Sequence, residues 1–284
     1  MLSIGDLLDD AVAVLPANTA TSTTLAVGLA MLTGQCVLWF VFRFLVSSGP
    51  WHAEPGYTAH QIVYFPLGVY TAYYGCAHFF AESPATPSAR VLQHNAAGYF
   101  LAQLQIAVLV LWDIPTGLFV QVLREPIMLA HHVGFVIAAA YVATQNVNSY
   151  YALCFFGVVE VSSVPLCFAD AFHPKHKEYT AWLETAPVCR AFNEVVRSAF
   201  VAVYLAVRGV YFPYVVWGRY VPDMLELLAL PPAQRQHVTP AQLWTPFFLG
   251  TAFSVLQLYW GHLLIKQVQK ILGGGKPPTT KKSH

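Results

Sequence analysis

Long apolar stretches alternate with short polar connectors along this chain. The pattern predicts helices at residues 24–46, 59–80, 96–113, 127–145, 150–170, 193–217 and 243–269. Crossing the hydrocarbon core of a bilayer takes about 20 residues of helix, and each stretch is close to that length. The least distinct boundary is between the fourth and fifth helices, where only Gln145 to Ser149 interrupt the apolar run. We therefore predict an all-α transmembrane bundle of about seven helices.

Composition supports a membrane protein and excludes several other classes. Hydrophobic residues make up 56% of the chain and charged residues only 10%, against about 25% charged in an average soluble domain. The formal net charge of +1 offers no basic surface for nucleic acid, so no nucleic-acid partner is expected. The five cysteines lack the CxxC spacing of a metal or redox site. We expect no metal and no bound cofactor.

The apolar pattern divides the chain into a segment at 1–23, a transmembrane domain at 24–270 and a flexible tail at 271–284. The first segment carries three aspartates without a basic region, which argues against a cleaved signal peptide. Most of the fifteen Lys and Arg residues fall on one side if the C-terminus is cytosolic, as the positive-inside rule requires. The N-terminus is then predicted to be lumenal.

The tail ends in Lys281-Lys282-Ser283-His284, which resembles a dilysine retrieval signal of the endoplasmic reticulum. This reading predicts residence in the endoplasmic reticulum membrane and binding of a coat protein to Lys281 and Lys282. The alternative is a basic flank of the last helix that contacts anionic headgroups.

Inserting a charged side chain into a membrane span costs about 2.5 to 3.5 kcal/mol on insertion scales. Each ionisable residue in a predicted span is therefore expected to have an interaction partner or a function. The fourth helix carries the adjacent pair His131 and His132, the fifth carries Glu160 before Pro165, and the sixth carries Arg208. Arg208 is the natural ionic partner of Glu160. We interpret these four residues as the centre of a functional site; the alternative is a set of satisfied interhelical hydrogen bonds.

Other polar residues share faces with this group. Tyr99 and Gln103 lie on one face of the third helix, with Asp113 at its far end, and Tyr204 and Ser163 fall on the stripes of Arg208 and Glu160. Together these helices are predicted to enclose a polar centre. Trp112 and Trp260 are interpreted as anchors at the membrane interface.

Several segments in order resemble the TLC domain family. They are Gly98-Tyr99-Phe100-Leu101, His131-His132, the run from Glu160 to Pro165, the run from Ala206 to Val210, and the run from Leu256 to Trp260. The resemblance covers about residues 24–270. The ceramide synthase signature continues with a His-Asp pair and a further Asp, whereas this chain has Glu160, Ser162 and Ser163. The pattern is closer to the branches of the family that are not ceramide synthases.

The resemblance implies a helix bundle of the endoplasmic reticulum with a central lipid cavity. Ceramide synthases of this family transfer an acyl chain from acyl-CoA with a histidine pair, which corresponds by position to His131 and His132. We assign catalytic roles to His131, His132 and Glu160, with one imidazole acting as general base or carrying the acyl group transiently. The residues assigned to substrate binding are Arg208, Tyr204, Ser163, Gln103 and Tyr99.

These assignments favour a membrane acyltransferase that uses long-chain acyl-CoA as co-substrate and membrane lipids as partners. A homodimer is one further expectation. The alternatives are a non-catalytic lipid-binding protein that regulates phospholipid composition, and a cargo adaptor of the endoplasmic reticulum with the same fold. An adaptor would depend on its loops and its Lys281-Lys282 tail and would tolerate loss of the histidines.

Overall fold

The computed structural model describes residues 17–236 and 238–273 of this chain. Within those ranges every regular element is helical. Most of the predicted segment at 1–23, and the predicted signal at Lys281 and Lys282, lie outside the described residues.

The seven predicted helices are all present. They are α1 (Ala17–Phe40, extended by a π-helical turn at Val41–Leu45), α2 (Pro55–Ala81), α3 (Ala96–Val108, continued through Leu109–Asp113 to Ile114–Phe119), α4 (Pro126–Gln145), α5 (Ser149–Phe156, Val158–Ser162 and Ser163–Ala171), α6 (Pro187–Tyr204, continued to Val221–Ala229) and α7 (Pro240–Leu272). Short helices in the connections occupy Pro50–Ala53, Pro87–Val91, Gln121–Leu123, Lys177–Thr185 and Pro232–Arg235. The prediction of an all-α bundle is confirmed.

Six stretches of helix are long and apolar enough to cross a membrane, and together they include every long helix except α2. Helix α2 has 27 residues, which is about 40 Å at 1.5 Å per residue and exceeds the thickness of a bilayer core. Its Tyr, His and Gln side chains lower its hydropathy. Because α2 packs against α1 and α5 inside the bundle, these polar side chains face protein as well as lipid.

Local sequence explains where the helices begin and end. Proline occupies the first turn of α2, α4, α6 and α7, where its missing N–H leaves no hydrogen bond unmade. Asn95 caps α3 by accepting a hydrogen bond from the Gly98 N–H at 2.8 Å. The narrow break predicted between α4 and α5 is confirmed. It is made by Asn146 and Asn148, which both adopt left-handed conformations.

Prolines also distort the helices from within. Three π-helical segments end two residues before a proline: Leu109–Asp113 before Pro115, Leu205–Tyr211 before Pro213, and Val216–Tyr220 before Pro222. A proline in a helix lacks the N–H and clashes with the carbonyl four residues earlier, and a widened turn accommodates both defects. Helix α6, predicted at 193–217, therefore continues past Pro213 and Pro222 instead of ending near Trp217.

Helices α2 and α5 cross with their backbones in close contact. A Cβ built on Gly75 would lie 2.4 Å from the Gly157 Cα, and one built on Gly157 would lie 2.5 Å from the Gly75 Cα. No side chain other than hydrogen fits at that separation. The glycine pair therefore fixes the relative position of two helices that contribute to the site described below.

We expect Gly75→Ala to destabilise the protein by about 1 to 3 kcal/mol, the usual cost of overpacking a tight contact. Gly34→Ala is the matched control, because a Cβ at Gly34 would meet only Val63 Cγ2 at 3.5 Å, an ordinary contact. Thermal unfolding of the detergent-solubilised variants measures the difference. Equal melting temperatures for the two alanine variants would contradict the tight crossing.

The end of the bundle that holds the first turns of α3 and α5 carries a buried ion pair. Arg90 contacts both carboxylate oxygens of Asp223 at 2.6 Å, and the Tyr151 hydroxyl donates to the same carboxylate. Asp223 is buried, and the guanidinium also donates to the Pro84 carbonyl at 2.8 Å. Because both charges here are paired with each other and hydrogen-bonded, we interpret this cluster as structural.

Candidate functional site

A cavity of about 510 Å³ lies among helices α2 to α7. Its lining comes from the first part of α2 and α4, the last part of α3, α5 and α7, and the first half of α6. Consecutive helices joined by short connections run in opposite directions, so all these segments lie in the same half of the bundle. The volume is within the range of about 300 to 1,000 Å³ typical of small-molecule sites.

Asp113 connects two histidines in the wall of this cavity. Its Oδ2 lies 2.7 Å from His132 Nδ1, and its Oδ1 lies 2.8 Å from His60 Nε2. Asp113 itself is only 9% exposed, whereas the His132 side chain is 25% exposed. A carboxylate that accepts from Nδ1 assigns the proton of His132 to that nitrogen and leaves Nε2 available to a ligand. This is the orientation that acid–base chemistry requires.

His131 has different surroundings from its neighbour. Its ring centroid lies 4.5 Å from Phe135, 5.5 Å from Phe253 and 5.3 Å from Trp260. Its Nδ1 is buried without a hydrogen-bond partner, so a proton on Nε2 is the tautomer that leaves no buried N–H unpaired. The His131 and His132 rings are 5.7 Å apart, and both line the cavity.

The sequence left open whether Glu160 and Arg208 pair, and the structure brings them together, with Arg208 Nη2 3.7 Å from Glu160 Oε1. The Tyr64 hydroxyl donates to the other carboxylate oxygen. The guanidinium donates to Ser162 Oγ at 2.7 Å, Ser163 Oγ at 2.8 Å, the Val159 carbonyl at 3.2 Å and Gln257 Oε1 at 3.3 Å. Arg208 is therefore buried, and each of its three guanidinium nitrogens donates a hydrogen bond, which favours the persistence of a charge there.

Asp113, Glu160 and Arg208 all lie on helical turns that depart from regular α-helix. Asp113 and Arg208 lie on the π-helical segments that precede Pro115 and Pro213. Glu160 lies in a 3₁₀ segment, Val158–Ser162, that begins after Gly157 and precedes Pro165. The Val159 carbonyl of this 3₁₀ segment accepts a hydrogen bond from Arg208.

A second polar cluster lies where the cavity meets the connection after α5. Lys175 Nζ lies 3.0 Å from Asp170 Oδ1 and 3.7 Å from Glu125 Oε1, and all three residues line the cavity. His176 is fully buried beside them and contacts Glu54. Nearby, burial raises the pKa of Tyr179 to about 12, so its hydroxyl stays protonated at physiological pH.

The structure brings together six of the eight predicted site residues. His131, His132, Glu160, Ser163, Tyr204 and Arg208 all line the cavity. Tyr204 donates to the carbonyl and the Oε1 of Gln257, both at 3.1 Å.

Tyr99 and Gln103 are not part of this polar centre, which corrects the prediction. Gln103 Nε2 donates to Thr21 on α1 at 3.0 Å, and the Tyr99 ring contacts His94. Gln105, two positions after Gln103, lines the cavity instead, as do α3 residues further along the helix such as Asp113. The spacing correctly placed Tyr99 and Gln103 on a common face, but that face does not point into the cavity.

His60, Tyr64 and Gln257 belong to the site although they were not predicted, and Asp113 was predicted without its histidine partners. The two tryptophans interpreted as interface anchors belong to the site instead. Trp112 is fully buried, stacks on His60 at 4.7 Å and lies 3.3 Å from Gln35 Oε1 through its indole nitrogen. Trp260 contacts His131 and lines the cavity. The available signal for His60 was an ionisable side chain within the first turns of the apolar helix α2.

These features define a multi-pass helical membrane protein with ionisable residues around an internal cavity. Residues 51–266 match the TLC domain family, and the chain belongs to that family. No match to a curated protein or to a solved structure was found. Membership in the family and the helix bundle together identify a membrane protein related to lipids. Its assignment to a branch other than the ceramide synthases stays a prediction.

Proposed function

We propose that this protein is an acyltransferase of the endoplasmic reticulum that transfers a long acyl chain from a thioester to a membrane lipid. The observation that carries the proposal is the Asp113–His132 pair, in which the carboxylate holds Nδ1 and Nε2 is left for a ligand in the cavity. The same pairing orients the general base in hydrolases and acyltransferases that deprotonate a hydroxyl or an amine.

In the proposed reaction His132 Nε2 accepts the proton of the acceptor hydroxyl or amine as that atom attacks the thioester carbonyl. A bond forms between the acceptor and the acyl carbon, the C–S bond breaks, and His132 returns the proton to the leaving thiolate. The imidazole therefore ends the cycle in its starting state. Asp113 stabilises the imidazolium that exists between the two proton transfers.

His131 is suited to a different role in the same step. With its proton on Nε2, it can donate a hydrogen bond to the oxygen of the tetrahedral intermediate. The two imidazole rings lie 5.7 Å apart and both line the cavity, so a thioester bound there can contact both. Phe135, Phe253 and Trp260 pack around His131 and limit its rotation.

The position of the cavity suits a donor that arrives from the cytosol. In the predicted topology the half of the bundle that contains the cavity is the cytosolic half, and Lys175 lies at its edge. The apolar part of the lining, which includes Leu129, Leu166 and Leu263, would accommodate the acyl chain. Acyl-CoA is the co-substrate that this arrangement favours, with the C-terminus in the cytosol and the N-terminus in the lumen.

The test is acyl transfer by the purified protein from long-chain acyl-CoA to a panel of lipid acceptors bearing hydroxyl or amine groups. We expect a lipid product whose formation is proportional to protein concentration. If no acceptor is acylated while lipid co-purifies with the folded protein, the alternative of a non-catalytic lipid-binding protein replaces the enzyme. Mass spectrometry of protein incubated with donor alone distinguishes direct transfer from an acyl-imidazole intermediate.

The oxyanion role of His131 makes a separate prediction. Loss of one oxyanion donor typically costs about 10²- to 10³-fold in kcat, so we expect His131→Phe to lower kcat by that factor while the protein stays folded. Phenylalanine preserves the aromatic packing against Phe253 and Trp260 but has no N–H. A variant with unchanged kcat would assign His131 to packing alone.

A further inference from the structure

His60 is an ionisable residue of the cavity to which the proposed reaction assigns no task. It lies in the first part of α2, and its Nε2 is 2.8 Å from Asp113 Oδ1. The ring stacks on Trp112 with 4.7 Å between centroids and an interplanar angle of 16°. Its side chain is 14% exposed.

The two histidines on Asp113 are not equivalent. His60 Nδ1 is buried and has no hydrogen-bond partner, whereas His132 Nε2 is not enclosed in this way. Burying an N–H without a partner is unfavourable, so the His60 proton lies on Nε2 and is donated to Asp113. His60 therefore presents no accessible nitrogen to a substrate, because Nε2 is bonded to Asp113 and Nδ1 is buried. It acts on the reaction only through the carboxylate.

We infer that His60 is a positioning residue that holds the Asp113 carboxylate in the orientation needed by His132. A carboxylate that accepts one hydrogen bond can turn about its last torsion, because that torsion is broad. Asp113 accepts one bond on each oxygen, from α2 and from α4, and the two bonds fix its plane. Trp112 in turn fixes the His60 ring by stacking. This inference rests on the proposed function in that His132 is the base.

The first experiment compares His60→Ala, His60→Gln and wild type in the acyl-transfer assay. We expect His60→Ala to lower kcat by about 10- to 100-fold, the range for loss of a hydrogen bond to a charged group, with KM nearly unchanged. Glutamine keeps an N–H donor at nearly the same distance along the side chain, so His60→Gln is expected to recover most of the rate. His262→Ala, an exposed histidine on α7, is the control and should match wild type.

A double-variant cycle separates positioning from a general structural effect. If His60 acts through Asp113, His60→Ala should cause almost no further loss of kcat in an Asp113→Asn background. Independent, multiplied losses would overturn the inference. So would a His60→Ala enzyme with wild-type kcat.

A chemical measurement keeps the inference testable without turnover. Diethyl pyrocarbonate acylates the free nitrogen of an imidazole, and peptide mass spectrometry gives the rate at His132. We expect that rate to fall several-fold in His60→Ala and to recover in His60→Gln. If wild type forms no lipid product but the three proteins differ in His132 reactivity as expected, the proposed enzyme activity is refuted and the positioning role of His60 stands. Equal reactivity of His132 in all three proteins would refute the contact.

Discussion

Replacing His132 with glutamine is expected to lower kcat for acyl transfer by about 10²- to 10⁴-fold, the usual contribution of a general base. Glutamine is similar in size and keeps an amide near Asp113, but it cannot accept and return a proton at neutral pH. KM should change little, because the apolar lining that would hold the acyl chain is untouched. Steady-state kinetics on the acceptor identified in the panel gives both values.

Asp113→Asn tests the Asp113–His132 pair by changing the carboxylate instead of the imidazole. The amide is isosteric with the carboxylate, but it can present N–H to His132 Nδ1 and so favour the unproductive tautomer. We expect a fall in kcat of similar size to that in His132→Gln, with the double variant no worse than either single one. His262→Gln serves as the histidine control. A His132→Gln enzyme that retains half its activity would exclude His132 as the base.

The fold could be predicted because lipid imposes a simple rule. Backbone polar groups inside a bilayer must be satisfied within the segment, so apolar stretches of sufficient length become helices. The boundaries of α4 and α5 followed from Asn146 to Ser149 for the same reason. The length of α6 did not follow, because a proline such as Pro222 usually ends a helix and here is accommodated by the π-helical turn Val216–Tyr220.

The sequence identified those site residues whose ionisable side chains are energetically unfavourable inside a membrane span. An ionised side chain in a span is conspicuous in the sequence, and His131, His132, Glu160 and Arg208 were found in this way. His60 and Asp113 are 53 positions apart, and their contact depends on how α2 packs against α3. Helical spacing shows which residues share a face but not what that face meets. The misplacement of Gln103, which contacts α1, has the same cause.

The sequence also contained a signal whose meaning becomes clear only in the structure. Three charged residues of the cavity wall have a proline two to five positions later in the same helix: Pro115 follows Asp113, Pro165 follows Glu160, and Pro213 follows Arg208. Widened or tightened turns free backbone carbonyls and aim side chains away from the regular helical stripe. A charge followed closely by a proline within an apolar run is therefore a sequence pattern worth testing in other members of this family.

The largest effect on stability is expected from Arg208→Met. This change removes a buried guanidinium that bonds to Ser162, Ser163, Val159 and Gln257 and pairs with Glu160. Breaking one partner of a buried pair costs about 3 to 5 kcal/mol, because the remaining charge is left without compensation. We expect a markedly lower melting temperature for the detergent-solubilised protein, whereas Arg219→Met, at an exposed arginine on the same helix, should have little effect.

The double variant Arg208→Met with Glu160→Gln decides why Arg208 matters. If the cost of Arg208→Met comes mainly from the unpaired carboxylate, neutralising Glu160 should recover a large part of the melting temperature, since Tyr64 can still hydrogen-bond to the amide. If the hydrogen bonds to Ser162, Ser163 and Gln257 dominate, the double variant should be as unstable as Arg208→Met. In the first case the pair need not be retained for stability, and its position in the cavity wall favours a role in substrate binding.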